Sequence, residues 1–300
     1  MQDRLPACRW WTLCEQRVRR SSCIAYARQA GCLSYIVPPQ ISSVFAAMTP
    51  RPTDASESRA STNAIIAATT VIVPALNEEA ALPRVVRDLR ALGLARILVV
   101  DNGSTDRTAE VARAHGAEVF TEPLRGYGAA CWRGMAALDR TAEWILFCDA
   151  DESDDLSELP RIFSAAAEGA ELVLGDRRAT VEGRGAMTPQ QNFGNALATT
   201  LIALGWHHRY RDLGPLRLIR RTALDRIAMR DRGFGWTVEM QVRAVEEGLR
   251  IAEIPVGYRR RQGGRSKISG TLRGSVQAGS IILLTLGRLW CRRTFRRRAR

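Results

Sequence analysis

Lysine is almost missing from this chain: of its 44 basic residues, Lys267 alone is not arginine. The formal net charge of +13 invites a nucleic-acid partner, but basicity built from one residue type is as much a coding habit as a binding requirement. The excess also gathers at the ends, with seven arginines and no acid in residues 288–300. No zinc finger, aromatic-basic RNA motif or basic zipper occurs, so no nucleic acid is expected among the partners. Closely spaced cysteine pairs are lacking too. Cys8, Cys14, Cys23 and Cys32 stand too far apart for the ligand pairs of a structural zinc site, and read as ordinary thiols in a reducing compartment. Arg17, Arg19, Arg20 and Arg28 interrupt the N-terminal segment, so no secretory signal is expected. What remains is ordinary: 46% apolar and 25% charged residues over 300 positions, enough for a sizeable core.

Residues 1–66 have no sustained periodicity, and Pro-Thr-Asp-Ala-Ser-Glu-Ser at 52–58 reads as linker. A disordered extension is therefore expected over 1–66, a catalytic domain over 67–272 and an apolar, basic tail over 273–300. Within the domain, strands alternate with helices. Thr70–Pro74, Arg96–Asp101, Trp144–Asp149 and Glu171–Gly175 are apolar runs that predict buried strands. Leu82, Val85, Val86, Leu89 and Leu92 recur at helical spacing. Ser104 or Thr105 is the expected cap of a following helix that Gly116 ends. This order predicts an α/β fold, a mostly parallel Rossmann-like sheet with helices on both faces. Ligands of such sheets bind at the carboxyl ends of the strands.

The strand ends carry the chemistry. The first runs into Pro74-Ala75-Leu76-Asn77-Glu78-Glu79 and the second into Asp101-Asn102-Gly103-Ser104-Thr105-Asp106, side chains that can hydrogen-bond a base or ribose as readily as cap a helix. Asp149-Ala150-Asp151 follows the apolar run WILFC. Alternate residues of an extended segment project the same way, so both carboxylates can converge on one point. Two converging carboxylates repel unless a cation lies between them, and Mg²⁺ or Mn²⁺ suits such hard oxygen ligands. A helix start rich in acids is the plainer reading of Asp149–Asp155. Gly126-Tyr127-Gly128 opens a helix without forming a dinucleotide fingerprint, because the third glycine comes only at Gly134. Arg177 and Arg178 follow a strand end where guanidinium groups can grip phosphate. Arg261-Gln262-Gly263-Gly264-Arg265-Ser266-Lys267 is a basic glycine loop holding the one lysine.

Taken together, VIVPALNEE, VVDNGSTD, RGYGAA, Asp149-Ala150-Asp151, LGDRR, DLGPLRLI, GWTVEMQ and RQGGRSK, in this order, resemble glycosyltransferase family 2 with its GT-A fold. The likeness runs from about Thr70 to Gly270 and is nearest to the polyprenyl- and dolichyl-phosphate sugar synthases. It implies a nucleotide-sugar donor and a lipid-phosphate or other glycosyl acceptor. It further implies that Pro74, Glu78, Asp101 and Asp149 hold the donor nucleotide, and that Asp149 and Asp151 hold the metal. Arg177, Arg261, Ser266 and Lys267 would contact phosphates, and Asp212 and Glu239 would be the acids near sugar and acceptor. Two departures stand out. Ser153 replaces a common glutamine, leaving the third metal ligand open, and Asp176 replaces a common serine.

Residues 275–290 are apolar but shorter than the roughly twenty residues that span a bilayer. Trp290 and the arginines beyond it suit the interface of an anionic membrane, so peripheral contact from the cytoplasmic side is expected. A sugar-nucleotide pyrophosphorylase is the competing enzyme class, but it wants a glycine-rich triphosphate loop after the first strand, and VIVPALNEEAAL has none.

Overall fold

The computed structural model of the protein describes residues 52–259 and 272–298. The strands are β1 (Thr69–Ala75), β2 (Arg96–Asp101), β3 (Glu118–Thr121), β4 (Trp144–Phe147), β5 (Leu172–Asp176), β6 (Arg217–Arg220) and β7 (Ile251–Pro255). They form one sheet in the order β3-β2-β1-β4-β6-β5-β7. Its pairings are parallel except at β6, which runs antiparallel to both β4 and β5. All seven strands lie in one unit, Ser56–Arg300.

The alternation of side chains along β1 explains the two faces. Ile72 enters one apolar cluster with Leu98, Phe147 and Trp236, while Val71 and Val73 enter the opposite one with Leu82, Val86 and Phe163. The first face is covered by α4 (Tyr127–Ala136), α7 (Pro189–Trp206) and α9 (Trp236–Glu246), the second by α2 (Leu82–Ala91) and α5 (Leu159–Ala167). The short helices α3 (Thr108–Ala114), α6 (Val181–Ala186) and α8 (Arg221–Ile227) complete the connections. The expected α/β architecture with both faces covered is present.

Three local expectations change. Residues 52–58 are not an irregular linker: α1 spans Pro52–Ala67. Its proline stands at the first helical position, where no amide donor is needed, alanines recur through it, and Ile65 and Ile66 pack on the core. Neither Ser104 nor Thr105 caps α3. Asp106 accepts the Thr108 amide at 3.0 Å instead, and the two hydroxyl residues serve the loop before it. Finally, the apolar tail is a helix, α10 (Leu272–Arg298), docked on the domain. Leu286 and Leu289 are buried, Trp290 meets Trp206 edge-on at 6.0 Å, and Thr285 donates to Asp231 at 3.1 Å. Among the described residues no helix is long and apolar enough to cross a membrane.

Candidate functional site

The loops leaving β1 and β2 are fastened to each other. Asn77, in the left-handed region at φ 52°, accepts the Thr105 amide at 2.7 Å, and its own amide donates to Ser104 at 2.9 Å. The Glu78 amide donates to Thr108, and the Asp101 carboxylate accepts the Ser104 amide at 2.9 Å. Glu78 and Asp101 are both at most 9% exposed, and Pro74, opposite Val100 in the sheet, is half-buried. Asn102, named in the sequence only as part of the run after β2, organises the next loop. Its amide donates to the carbonyls of Glu122 and Leu124 and its carbonyl accepts the Gly126 amide at 2.8 Å. Gly126 turns at φ 144° into α4. Tyr127 follows with its ring edge-on to Trp236 at 5.9 Å; burial, and then the charge of Asp149, hold its phenol well above the usual range.

Beyond β4 come the aspartates Asp149, Asp151 and Asp154. Asp149 is half-buried, and Asp151 is 5% exposed with one oxygen accepting the Ser153 amide at 3.0 Å. Asp154 completes the turn and is the residue that sequence reasoning missed. It is buried, and neither of its oxygens accepts a hydrogen bond of ordinary geometry. Burial raises its pKa most, Arg177 pulls it down and Asp151 pushes it up again, leaving it at about 7. The chain leaving β7 is stitched to this turn. Tyr258 bridges Asp154, the Asp155 amide donates to Gly257 at 3.0 Å, and the Arg259 amide donates to Ser153 at 2.8 Å.

Arg177 stands just past β5, and Asp212 meets it. The guanidinium donates to both oxygens of Asp212 at 2.7 and 3.0 Å, the Arg177 amide adds a third bond, and the ring of Tyr258 lies 4.9 Å from the guanidinium. Burial alone would raise the pKa of Asp212, but Arg177 more than offsets it and the net shift is downward. Asp212 is 1% exposed, and its carboxylate is engaged by Arg177 and by the Leu213 amide. Glu239 is engaged in a similar way. It is 3% exposed and accepts the Arg230 and Asp231 amides at 2.8 and 2.6 Å and Arg243 at 2.7 Å. That carboxylate shapes the 230–233 turn, whose Gly233 carbonyl accepts the Gly128 amide at 3.2 Å. In both cases a sequence motif names the acid but not the donors that saturate it. Arg261, Ser266 and Lys267 lie outside the described residues.

Known proteins resemble this chain in sequence and fold. A family model described as glycosyl transferase family 2 fits residues 70–228. An uncharacterized glycosyltransferase of Mycobacterium tuberculosis is 41% identical over 217 residues, 70% of this chain and 94% of the relative. An undecaprenyl-phosphate mannosyltransferase of Micrococcus luteus is 31% identical over 224 residues, 68% of this chain and 88% of the relative. Among solved structures, glucosyl-3-phosphoglycerate synthase from Mycobacterium tuberculosis, in complex with Mn²⁺, UDP and phosphoglyceric acid, superposes with a TM-score of 0.62 at 23% identity. That superposition covers 76% of this chain and 82% of the other, and it is a likeness of fold.

Proposed function

We propose, since the chain belongs to glycosyltransferase family 2 and is a glycosyltransferase, that it moves a sugar from a nucleoside-diphosphate donor to a polyprenyl phosphate with inversion at the anomeric carbon. One observation carries this reading. Asp149 and Asp151 follow β4 at its carboxyl end, on the same turn as buried Asp154, whose oxygens accept no hydrogen bond of ordinary geometry and which feels the charges of Arg177 and Asp151. An excess of buried acid of this kind suits a divalent cation. Asp149 and Asp151 would hold it. Among the described residues no three acids, histidines or cysteines are grouped to hold an ion alone, so diphosphate and water would have to complete the shell of Mg²⁺ or Mn²⁺. When bound, the cation supplies positive charge that offsets what develops on the leaving diphosphate.

The protein's own groups do the rest. Pro74, Glu78 and Asp101 would line the base and ribose, with Asp149 serving nucleotide and cation together. Arg177, fixed by Asp212, would face phosphate, joined by Arg261, Ser266 and Lys267 from the basic loop. An acceptor phosphate oxygen forms the new bond to the anomeric carbon as the carbon–oxygen bond to the diphosphate breaks, its electron pair leaving with the diphosphate. A lipid phosphate is already ionised at neutral pH and needs little general-base help. The saturated carboxylates of Asp212 and Glu239 agree with a reaction that needs no base. Undecaprenyl-phosphate mannosyltransferase, by its name, uses such an acceptor, which supports the choice. Peripheral membrane contact belongs to the same reading.

The test is transfer itself. With Mn²⁺, labelled UDP-glucose or GDP-mannose and polyprenyl phosphate in vesicles, label is expected in the lipid extract. Asp151→Ala is expected to lower kcat/KM about 100-fold or more, ~2.7 kcal/mol of transition-state stabilisation, with an unchanged melting temperature. Full activity in that variant would remove the cation from the account. Label released by pyrophosphate instead would establish the pyrophosphorylase.

A further inference from the structure

We infer that α7 and α10 present one face that docks on an anionic lipid surface. The observation is where the large apolar side chains remain uncovered. Val181, Phe193, Leu204, Leu283, Leu284 and Trp290 are 71, 70, 65, 42, 59 and 45% exposed, and among the described residues only Leu124 is comparably exposed elsewhere. Phe193 and Leu204 are on α7, with Val181 just before it, and the other three are on α10. A soluble surface scatters such residues singly; contiguous ones mark a contact.

The sequence of α7 is the reason. Its eighteen residues, PQQNFGNALATTLIALGW, contain no charge. The inner side buries Asn195, Ala198, Ile202 and Trp206, while Phe193, Leu197 and Leu204 recur outward at helical spacing, each exposed or partly so. A helix apolar on all sides is normally covered on all sides. Here α10 covers part of it. Trp290 lies against Gly205, 3.1 Å from where a Cβ would stand, next in sequence to exposed Leu204.

Charge decides the partner. From Leu272 to Arg298 α10 has no acid, and exposed Arg288 and Arg292 follow exposed Leu284 at one and two helical turns, on its side of the helix. Between Val181 and Tyr210 the charges are Glu182, Arg184 and Arg209. An apolar face rimmed by arginine and bearing a tryptophan is what the interface of an anionic bilayer accommodates. The face is also tied to the site. Asn195 on the inner side of α7 accepts the Leu213 amide at 2.8 Å and donates to the Arg211 carbonyl at 3.3 Å, on either side of the Asp212 that holds Arg177. The consequence for catalysis rests on the lipid-phosphate reading above; binding to lipid does not.

The experiment uses the full chain and the triple variant Phe193→Ser, Leu204→Ser, Leu284→Ser, whose side chains are exposed and outside the catalytic machinery. Cosedimentation with phosphatidylglycerol vesicles is expected to be strong for the native chain, weak with phosphatidylcholine alone, and reduced by 0.5 M salt in the manner of charge screening. The triple variant should bind phosphatidylglycerol vesicles about tenfold more weakly, at unchanged melting temperature, and keep transfer to a short water-soluble polyprenyl-phosphate analogue. Equal vesicle binding by native and variant chains overturns the inference. So does a variant that turns a dimer into a monomer without altering vesicle binding, which makes the face a contact between copies. Vesicle binding that persists while no lipid phosphate is ever glycosylated sinks the acceptor reading and upholds the docking face.

Discussion

Asp154 and Asp212 are both buried aspartates beside Arg177, yet they meet opposite conditions. Asp212 receives three bonds from Arg177 and a fourth from the Leu213 amide, and stays ionised. Asp154 receives none of ordinary geometry, and its pKa rises to about 7. The consequences for stability follow from proton linkage. Between its unfolded pKa near 4 and its folded value near 7, Asp154 binds more proton in the folded state, so its contribution falls as pH rises through that window. Asp154→Asn is therefore expected to raise the melting temperature at pH 8 in EDTA and to leave it unchanged at pH 4, as read by scanning calorimetry. An equal effect at both pH values would contradict the burial argument. Asp212→Ala leaves a buried guanidinium without its carboxylate and is expected to cost about 3–5 kcal/mol in urea unfolding. The sequence made Asp149, Asp151 and Asp212 legible as residue types in a familiar order. It could not distinguish the satisfied acid from the unsatisfied one, because the donors come from residues far along the chain.

At the scale of elements, the site depends on how closely the glycine-led start of α4 approaches the 230–233 turn. A Cβ on Gly128 would lie 2.6 Å from the Gly233 carbonyl oxygen, so only glycine fits there. Glu239 holds the other side of that turn through two backbone amides. Gly128→Ala is expected to destabilise by about 1–3 kcal/mol through overpacking and to raise KM for the donor, measurable by chemical unfolding and steady-state kinetics. The central strands were legible because β1, β2, β4 and β5 are continuous apolar runs buried on both faces. Three strands were not. β3 is a short edge with two exposed residues, and β7 is only half-buried. β6 opens with Arg217, whose guanidinium is fully buried against backbone carbonyls and the ring of Trp236, which no polarity pattern would suggest.

Across the whole molecule, the acids after β4 stand at one end of the sheet, while α10 carries exposed arginines and apolar residues and no acid. Reading 273–300 as a separate tail was incomplete: Thr285, Leu286 and Leu289 of α10 are part of the packed domain. The account turns on the acids after β4 gripping diphosphate through a divalent cation. Calorimetric titration of the full chain with UDP and with GDP, in Mn²⁺ and then in EDTA, addresses that most directly. At least one diphosphate is expected to bind about 100-fold more tightly with Mn²⁺, a difference that disappears in Asp151→Asn. Equal affinity in Mn²⁺ and EDTA, or a native Mn²⁺ response in the variant, would contradict it.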